Sequence, residues 1–253
     1  MTPDLRYVEP FSWWGPGWLS PAPCGINELL RDGTIDLWSA ANLWAALARR
    51  RSIAVVAGPS GVGKTTLLTA LLDFLPAETR RVYPRGCFET FAFLSDATVV
   101  AGETALLINE ISPHLPVYLW GPAVGRVLEA ADRGFQLLAT AHGDTVQEFV
   151  GALTGSPLRI PASRVAAFEF VLVMEQSAET QSGRRVRGIW RLGQTPTGVT
   201  IEPIKAILHD ISHQNPNIAT PPTIWFPIQD LVQRRHTLED LRERRIEQLP
   251  VLQ

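Results

Sequence analysis

Residues 52–75 read SIAVVAGPSGVGKTTLLTALLDFL, and no other stretch limits the fold as tightly. A β-branched run from Ile53 to Val56 leads into Gly58-Pro59-Ser60-Gly61-Val62-Gly63-Lys64-Thr65, which fits G-x-x-x-x-G-K-[ST] and opens onto Thr66 and a leucine-rich helical pattern. Strand, glycine-rich loop and helix in that order make a phosphate cradle. The glycines let the backbone wrap so that its N–H groups face phosphate oxygens, and the helix start adds positive potential. Lys64 is placed to reach the β- and γ-phosphates, and Thr65 to offer a hydroxyl to Mg2+. The segment predicts an α/β P-loop fold with a mostly parallel sheet flanked by helices. The expected ligand is a nucleotide with Mg2+, held by Gly58 to Thr66.

A P-loop alone does not separate kinases, switches and motors, so the later strands carry the rest. Arg80 to Tyr83 can form a short second strand. ALLINEISPH, from Ala105 to His114, is a buried strand that ends in the single carboxylate Glu110, with Asn109 where many such proteins have an Asp. If this strand lies beside the P-loop strand in a parallel sheet, both end on the edge where ligands of open α/β sheets bind. Glu110 then faces Thr65 across the metal and can hold a bound water or polarise the attacking one, while Asn109 can orient a water. A purely structural alternative has Glu110 cap the turn-like SPHLP. Farther on, YLWGPAVGRVLEAADRG predicts an amphipathic helix closed by Gly134, and FQLLAT a strand ending in Thr140-Ala141-His142. His142 is placed to sense a γ-phosphate; a histidine satisfied within its loop is the competing option.

The 253 residues carry a formal net charge of -2, and nothing global points to nucleic acid. Arginines gather at Arg49 to Arg51, at Arg184, Arg185 and Arg187, and from Arg242 to Arg245, and read first as solvated faces, with subunit or phosphate contacts as the alternative. Cys24 and Cys87 are the only cysteines, too few for a disulfide framework and suited to a reducing compartment. Met1 to Pro10 carries Asp4 and Glu9 without an apolar run, so no secretory leader is expected, and no run approaches the roughly 18 apolar residues of a membrane span. A soluble cytoplasmic protein is the expectation.

Residues 1–32 read as an extension, in which FSWWGPGWLSPAP can lay tryptophans on the main domain, with a partner or a membrane interface as the alternative surface. Residues 33–160 read as the nucleotide-binding core. It opens with a helix that Thr34 can cap, with Asp36 in its first turn and Leu37, Ala41, Trp44 and Ala48 on one stripe, ending near Arg49. Residues 161–210 read as a small C-terminal α+β subdomain: a hairpin from Phe168 to Met174 and from Arg184 to Leu192, then a short helix from Ile201 to Ile211. In residues 211–253 a proline-rich arm precedes a charged helix that starts with a capping box at Thr237 and has a thin stripe of Leu238, Leu241 and Leu249.

Taken together, the stretch from Gly33 to Leu192 resembles the type II and type IV secretion ATPase superfamily, whose core is RecA-like. GTIDLWSAANLWAALARRRSIAVVAGPSGVGKTTLLTALLDFLP looks like the linker, first strand and P-loop helix of its tight-adherence pilus and conjugative-secretion branches. ATAHGDTVQEFVGAL is similar to the family's histidine box, and IPASRVAAFEFVLVME with SGRRVRGIWRL resembles the start of its C-terminal domain. The resemblance implies ATP hydrolysis that drives a secretion or pilus-type assembly machine. It also implies a homo-oligomer, with a hexamer as the candidate arrangement, a membrane-embedded platform protein as partner, and a place at the inner face of the cell membrane. Lys64, Glu110 and His142 match its P-loop lysine, Walker B glutamate and histidine-box residue. Glu89 falls at the distance of the acidic-box glutamate that activates water. TAHGDT and the helix before it also look like stage III sporulation protein AA and related small ATPases.

The departures are several. Arg85-Gly86 replaces an acidic pair, Asn109 replaces a glycine, Ser112 replaces an arginine, PHLPVYLWGP lengthens the path from Glu110 to His142, and residues 1–32 stand where those motors have a large domain. Two alternatives stay open: a P-loop phosphotransferase with a small acceptor, and a nucleotide-binding scaffold with little turnover. Between Arg80 and Arg133 only Arg80, Arg81, Arg85 and Arg126 could build the arginine lid that a phosphotransferase needs.

Overall fold

The computed structural model describes residues 24–84, 86–116, 118–204 and 228–243. Its strands form one seven-stranded sheet in the order β2-β3-β4-β1-β5-β6-β7. Parallel neighbours are β2 (Arg80–Val82), β3 (Thr104–Ile111), β4 (Gln136–His142), β1 (Ile53–Ala57) and β5 (Phe170–Gln176). Strands β6 (Arg184–Thr195) and β7 (Gly198–Pro203) extend the β5 edge antiparallel. This is the RecA-like P-loop NTPase arrangement. One expectation is corrected: the P-loop strand does not lie beside the strand of Glu110, because β4 stands between them. Hydrophobic pattern cannot decide that order, since β1, β3 and β4 are all apolar runs buried on both faces.

Alternate residues of each strand feed two cores. Ile53, Val55 and Ala57 face a layer made by α1 (Ile26–Asp32), α2 (Leu37–Ala48), α3 (Lys64–Ala70) and α7 (Ile228–Arg242). Ala54 and Val56 face α4 (Pro122–Asp132), α5 (Val146–Thr154) and α6 (Ala162–Val165). Both faces of β1 are therefore sealed, which leaves the sheet edge where its strands end as the place for a ligand among the described residues. Against the expectation that everything before Gly33 is an extension, Ile26, Leu29 and Leu30 of α1 are buried in the first core. The tryptophan-rich stretch 11–23 lies outside the described residues.

Local chemistry corrects three further details. The cap of α2 is Asp36, not Thr34: its carboxylate accepts from the N–H groups of Trp38 and Ser39, both at 2.9 Å, and a charged acceptor serves those orphan donors well. Thr34 is buried and donates to Asp32 instead. Ile201 to Pro203 do not start a helix but finish β7, where Ile201 pairs with Leu192 and packs on the second core; residues 205–211 lie outside the described residues.

Helix α7 is the third correction. It is helical from Ile228, nine residues before the expected start at Thr237, whose hydroxyl donates to the Gln233 carbonyl at 3.0 Å as a mid-helix threonine does. Of the two options its thin apolar stripe left open, docking weakly or waiting for a partner, the helix docks. Leu231, Leu238 and Leu241 are buried against α2, and Arg234 between them stacks its guanidinium 4.8 Å from the Trp44 ring while its Nε donates to Asp230 at 2.8 Å. Asp230 also accepts from Arg49 at 2.8 Å, so one carboxylate ties α7 to the end of α2. The charged composition hid this, because one of the docking positions is an arginine that buries its stem and pairs its head.

Leu238→Ala should cost about 2–5 kcal/mol, the range for emptying a fully buried leucine site. Thr237→Ala should stay within about 0.5 kcal/mol, less than the ~1 kcal/mol of a lost N-cap. Urea unfolding of the two variants checks both; equal losses would put the helix start back at Thr237.

Candidate functional site

The loop between β1 and α3 takes the wrapped form that its sequence demands. Gly63, at the N-cap of α3, has φ 91 and Gly61 has φ 80, a region that L side chains enter only with strain. Gly58 is required for another reason. A Cβ there would stand 1.7 Å from Oδ1 of Asp144, which approaches from the loop after β4. The glycines at 61 and 63 turn the chain, and the glycine at 58 makes room.

Glu110 reaches the same edge through an irregularity in β3. Ile108 pairs with Ala139 and Ile111 with Ala141, so three steps on β3 match two on β4, a bulge centred on Asn109 and Glu110. Strict alternation would put Glu110 on the face of Ile108. The bulge hands that face to Ile111, which joins Leu106 and Ile108 in the second core, and turns Glu110 toward the loop. Its Oε1 stands 3.4 Å from Lys64 Nζ, with the two side chains only 11% and 13% exposed. The hydroxyl of Thr140, on the intervening β4, lies 2.7 Å from Glu110 Oε2 and also against the Asn109 carbonyl, and its single proton can serve one of them at a time. Glu110 therefore does not cap the SPHLP turn: its carboxylate is spent on Lys64 and Thr140.

A cleft of about 950 Å³ opens above this pair. Its floor is the loop from Ser60 to Thr66, with Gly58 at its start; Pro59 does not line it. Asn109, Glu110 and His142 form the side toward β3 and β4. The wall beyond comes from the segment that follows β3, the one that lengthens the path to His142. Leu119 donates to the Glu110 carbonyl at 2.9 Å and Ser112 to the Leu119 carbonyl at 3.3 Å, so the segment folds back on the strand end. It brings His114, Leu115 and Tyr118 into the cleft, which Phe88 also lines. His114 and His142 meet edge to face with ring centroids 4.1 Å apart. Burial and the nearby Glu110 carboxylate push the Tyr118 phenol above its ordinary pKa, which keeps it a neutral donor.

Two placements differ from the site read in the sequence. Glu89 does not line the cleft, and its Oε1 accepts from the Phe91 N–H at 2.8 Å. Arg184, grouped with solvated arginines, does line it, while its neighbours behave as expected: Arg185 pairs with Glu175 and Glu179, and exposed Arg187 lies over Trp190. The sequence offered one signal, the position of Arg184 at the start of the second hairpin strand; its approach to the P-loop depends on the strand order, with β5 between β1 and β6. Of the arginines considered for a lid, Arg80 donates to the Thr98 carbonyl, Arg81 to the Leu72 carbonyl, and Arg126 stacks on Phe91; none of the three lines the cleft, and Arg85 lies outside the described residues.

No protein-family model matches the chain, and no curated protein does. Among solved structures it is similar to the VirB11 ATPase from the Brucella suis type IV secretion system, at 18% identity and a TM-score of 0.43, over 59% of this chain and 50% of that one. It is also similar to the Legionella pneumophila ATPase DotB, at 14% identity and a TM-score of 0.40, over 87% of this chain and 59% of that one. The chain thus spans between half and three-fifths of the length of these proteins. Both are ATPases by name. The P-loop NTPase fold itself rests on the sheet order and the loop geometry above.

Thr140→Val keeps the shape of the buried β4 position and removes the hydroxyl between Asn109 and Glu110. A hydrogen bond to a charged group contributes about 1.5–3 kcal/mol, so urea unfolding should show a loss of that order. An unchanged midpoint would mean that Lys64 alone holds the carboxylate.

Proposed function

We propose that the chain binds ATP with Mg2+ and hydrolyses it, and that the hydrolysis drives a secretion- or pilus-type assembly machine. The observation that carries the ATPase reading is the 3.4 Å approach of Lys64 and Glu110 over the intervening β4 strand. Lysine and carboxylate are each other's counter-ion in a nearly buried setting, and an arriving triphosphate offers the lysine a denser anion. Lys64 then turns to the β- and γ-phosphates and frees Glu110 for its own task. The residues at the edge fit a magnesium ion: the Thr65 hydroxyl and a Glu110 oxygen both line the cleft and are the hard oxygen donors it prefers. Mg2+ there would neutralise the charge that develops on the phosphates.

The protein groups divide the remaining work. Backbone N–H groups of the loop hold the phosphates. Glu110, kept in place by Thr140, polarises the attacking water, with Asn109 as a neutral hydrogen-bonding neighbour. His142, at the end of β4, senses the γ-phosphate, and its contact with His114 passes that signal to the segment after β3. Glu89 would need to leave the Phe91 N–H to activate water, so the water-activating role rests first on Glu110.

The machine served, the homo-oligomer and the membrane platform partner come from the resemblance in the P-loop, Glu110 and the histidine box. Among the described residues no helix is long and apolar enough to cross a membrane. A place at the inner face of the cell membrane belongs to the same resemblance. One observation favours a second reading, phosphoryl transfer to a small acceptor. Phe88 and Leu115, 67% and 49% exposed, give the same cleft two apolar side chains that phosphates do not need and that a small acceptor could rest on.

Lys64→Ala should abolish phosphate release and retain the fold. Glu110→Gln should still bind nucleotide while turnover falls about 10²-fold or more, typical of losing an electrostatic or acid–base group. Steady-state phosphate release, without and with candidate hydroxyl acceptors, checks this: release that needs an acceptor selects the transferase, and wild-type release by Lys64→Ala removes the ATPase reading. Glu89→Gln in the same assay should release phosphate at the wild-type rate, and a crippled variant would return water activation to Glu89.

A further inference from the structure

We infer that Arg184 is a phosphate-binding residue of the nucleotide site, supplied by the same chain from the start of β6. The inference rests on the nucleotide reading above. The side chain lies directly against the P-loop: a Cβ at Gly63 would stand 2.8 Å from both its Cδ and its Nη1, and 3.1 Å from its Cζ. The guanidinium is thus at the loop residue that joins the cradle to α3, on the β5 and β6 side of the cleft. Glu110 and the histidine pair stand on the β3 and β4 side. The two sides flank the loop, so Arg184 addresses the phosphates nearer the sugar, and Glu110 and His142 the terminal one.

Its electrostatic setting makes this more than proximity. Among the described residues the Arg184 guanidinium makes no ion pair and no hydrogen bond, whereas Arg185 holds two carboxylates and Lys64 holds Glu110. A half-buried guanidinium without an anion carries a desolvation cost that a phosphate would relieve. Nor is the residue there by looseness of the hairpin. The Arg184 N–H donates to Thr180 Oγ1 at 2.9 Å and its carbonyl accepts from the same hydroxyl at 2.9 Å. The turn is also tied to α1, where the Ser182 N–H donates to Asp32 Oδ1 at 2.9 Å. The backbone is fixed while the charged end is uncommitted, as suits a ligand-binding arginine.

The test is nucleotide affinity, measured by calorimetry with ADP and with a non-hydrolysable ATP analogue, for wild type, Arg184→Ala, Arg184→Lys, Arg187→Ala and Lys64→Ala. Loss of one charge-assisted contact predicts a roughly ten- to hundredfold weaker Kd for Arg184→Ala, equal for the di- and triphosphate. Arg184→Lys should recover part of it, and Arg187→Ala should match wild type. Because no carboxylate is left unpaired, Arg184→Ala should melt at or above the wild-type temperature without nucleotide, and its ADP-induced rise in Tm should shrink. Wild-type affinity in Arg184→Ala with loss in Lys64→Ala would overturn the role of Arg184 and leave the nucleotide site standing. A loss confined to the triphosphate would overturn the assignment to the inner phosphates. Wild-type affinity in both would overturn the nucleotide reading, and the inference with it. A lower Tm for Arg184→Ala with unchanged nucleotide affinity would make the residue structural.

Discussion

The ion pair between Lys64 and Glu110 is the contact around which the active edge is arranged. The two residues are 46 positions apart; Lys64 opens α3 beyond the end of β1 and Glu110 sits on β3, which is not a neighbour of β1, so the pair exists only because β4 separates β1 and β3 by one strand width and because β3 bulges where the carboxylate must turn. Each condition is itself secured by packing. Both faces of β1 are buried, and a slip of one residue would send its alternating side chains into the wrong core. The bulge is held by the Thr140 hydroxyl and by the return of Leu119 to the Glu110 carbonyl. A charge placed this way is set in advance of any ligand, which is what the proposed role of Glu110 in hydrolysis would require.

Arginines show how one residue type takes different roles according to what surrounds it. Arg234 packs on Trp44 and is drawn into the α2 and α7 interface by Asp230; burial lowers its pKa and the carboxylate works against that shift. Arg185 is fully committed to Glu175 and Glu179. Arg184, one residue earlier, points to the other side of the strand and meets the P-loop. Strand alternation alone separates these two, since successive side chains face opposite ways. An arginine cluster in a sequence is therefore several independent placements rather than one feature.

Much of the architecture was legible before any coordinates. The P-loop, the strands that end in Glu110 and His142, the helix closed by Gly134 and the hairpin from Phe168 to Leu192 all follow from local periods and turn residues, because backbone preference and burial agree there. The elements that escaped were those whose partner overrides the local signal. Ile201 to Pro203 became a strand because β6 offered an unpaired edge. Helix α7 began well before its capping-box motif because α2 offered an apolar face and a pairing arginine.

Sequence alone determined the class of fold and the cradle, since Gly61, Gly63 and Lys64 act through their own backbone freedom and reach, which belong to a short contiguous segment. Tertiary structure decided everything that depends on strand order and register: that β4 lies between the loop and the acidic strand, that Glu110 leaves the face of Ile108, that Glu89 binds a backbone N–H outside the cleft, and that Arg184 borders Gly63. These are relations between residues far apart in the chain, set by which buried surfaces pack together. The hydrophobic pattern says that a strand is buried but not beside which other strand.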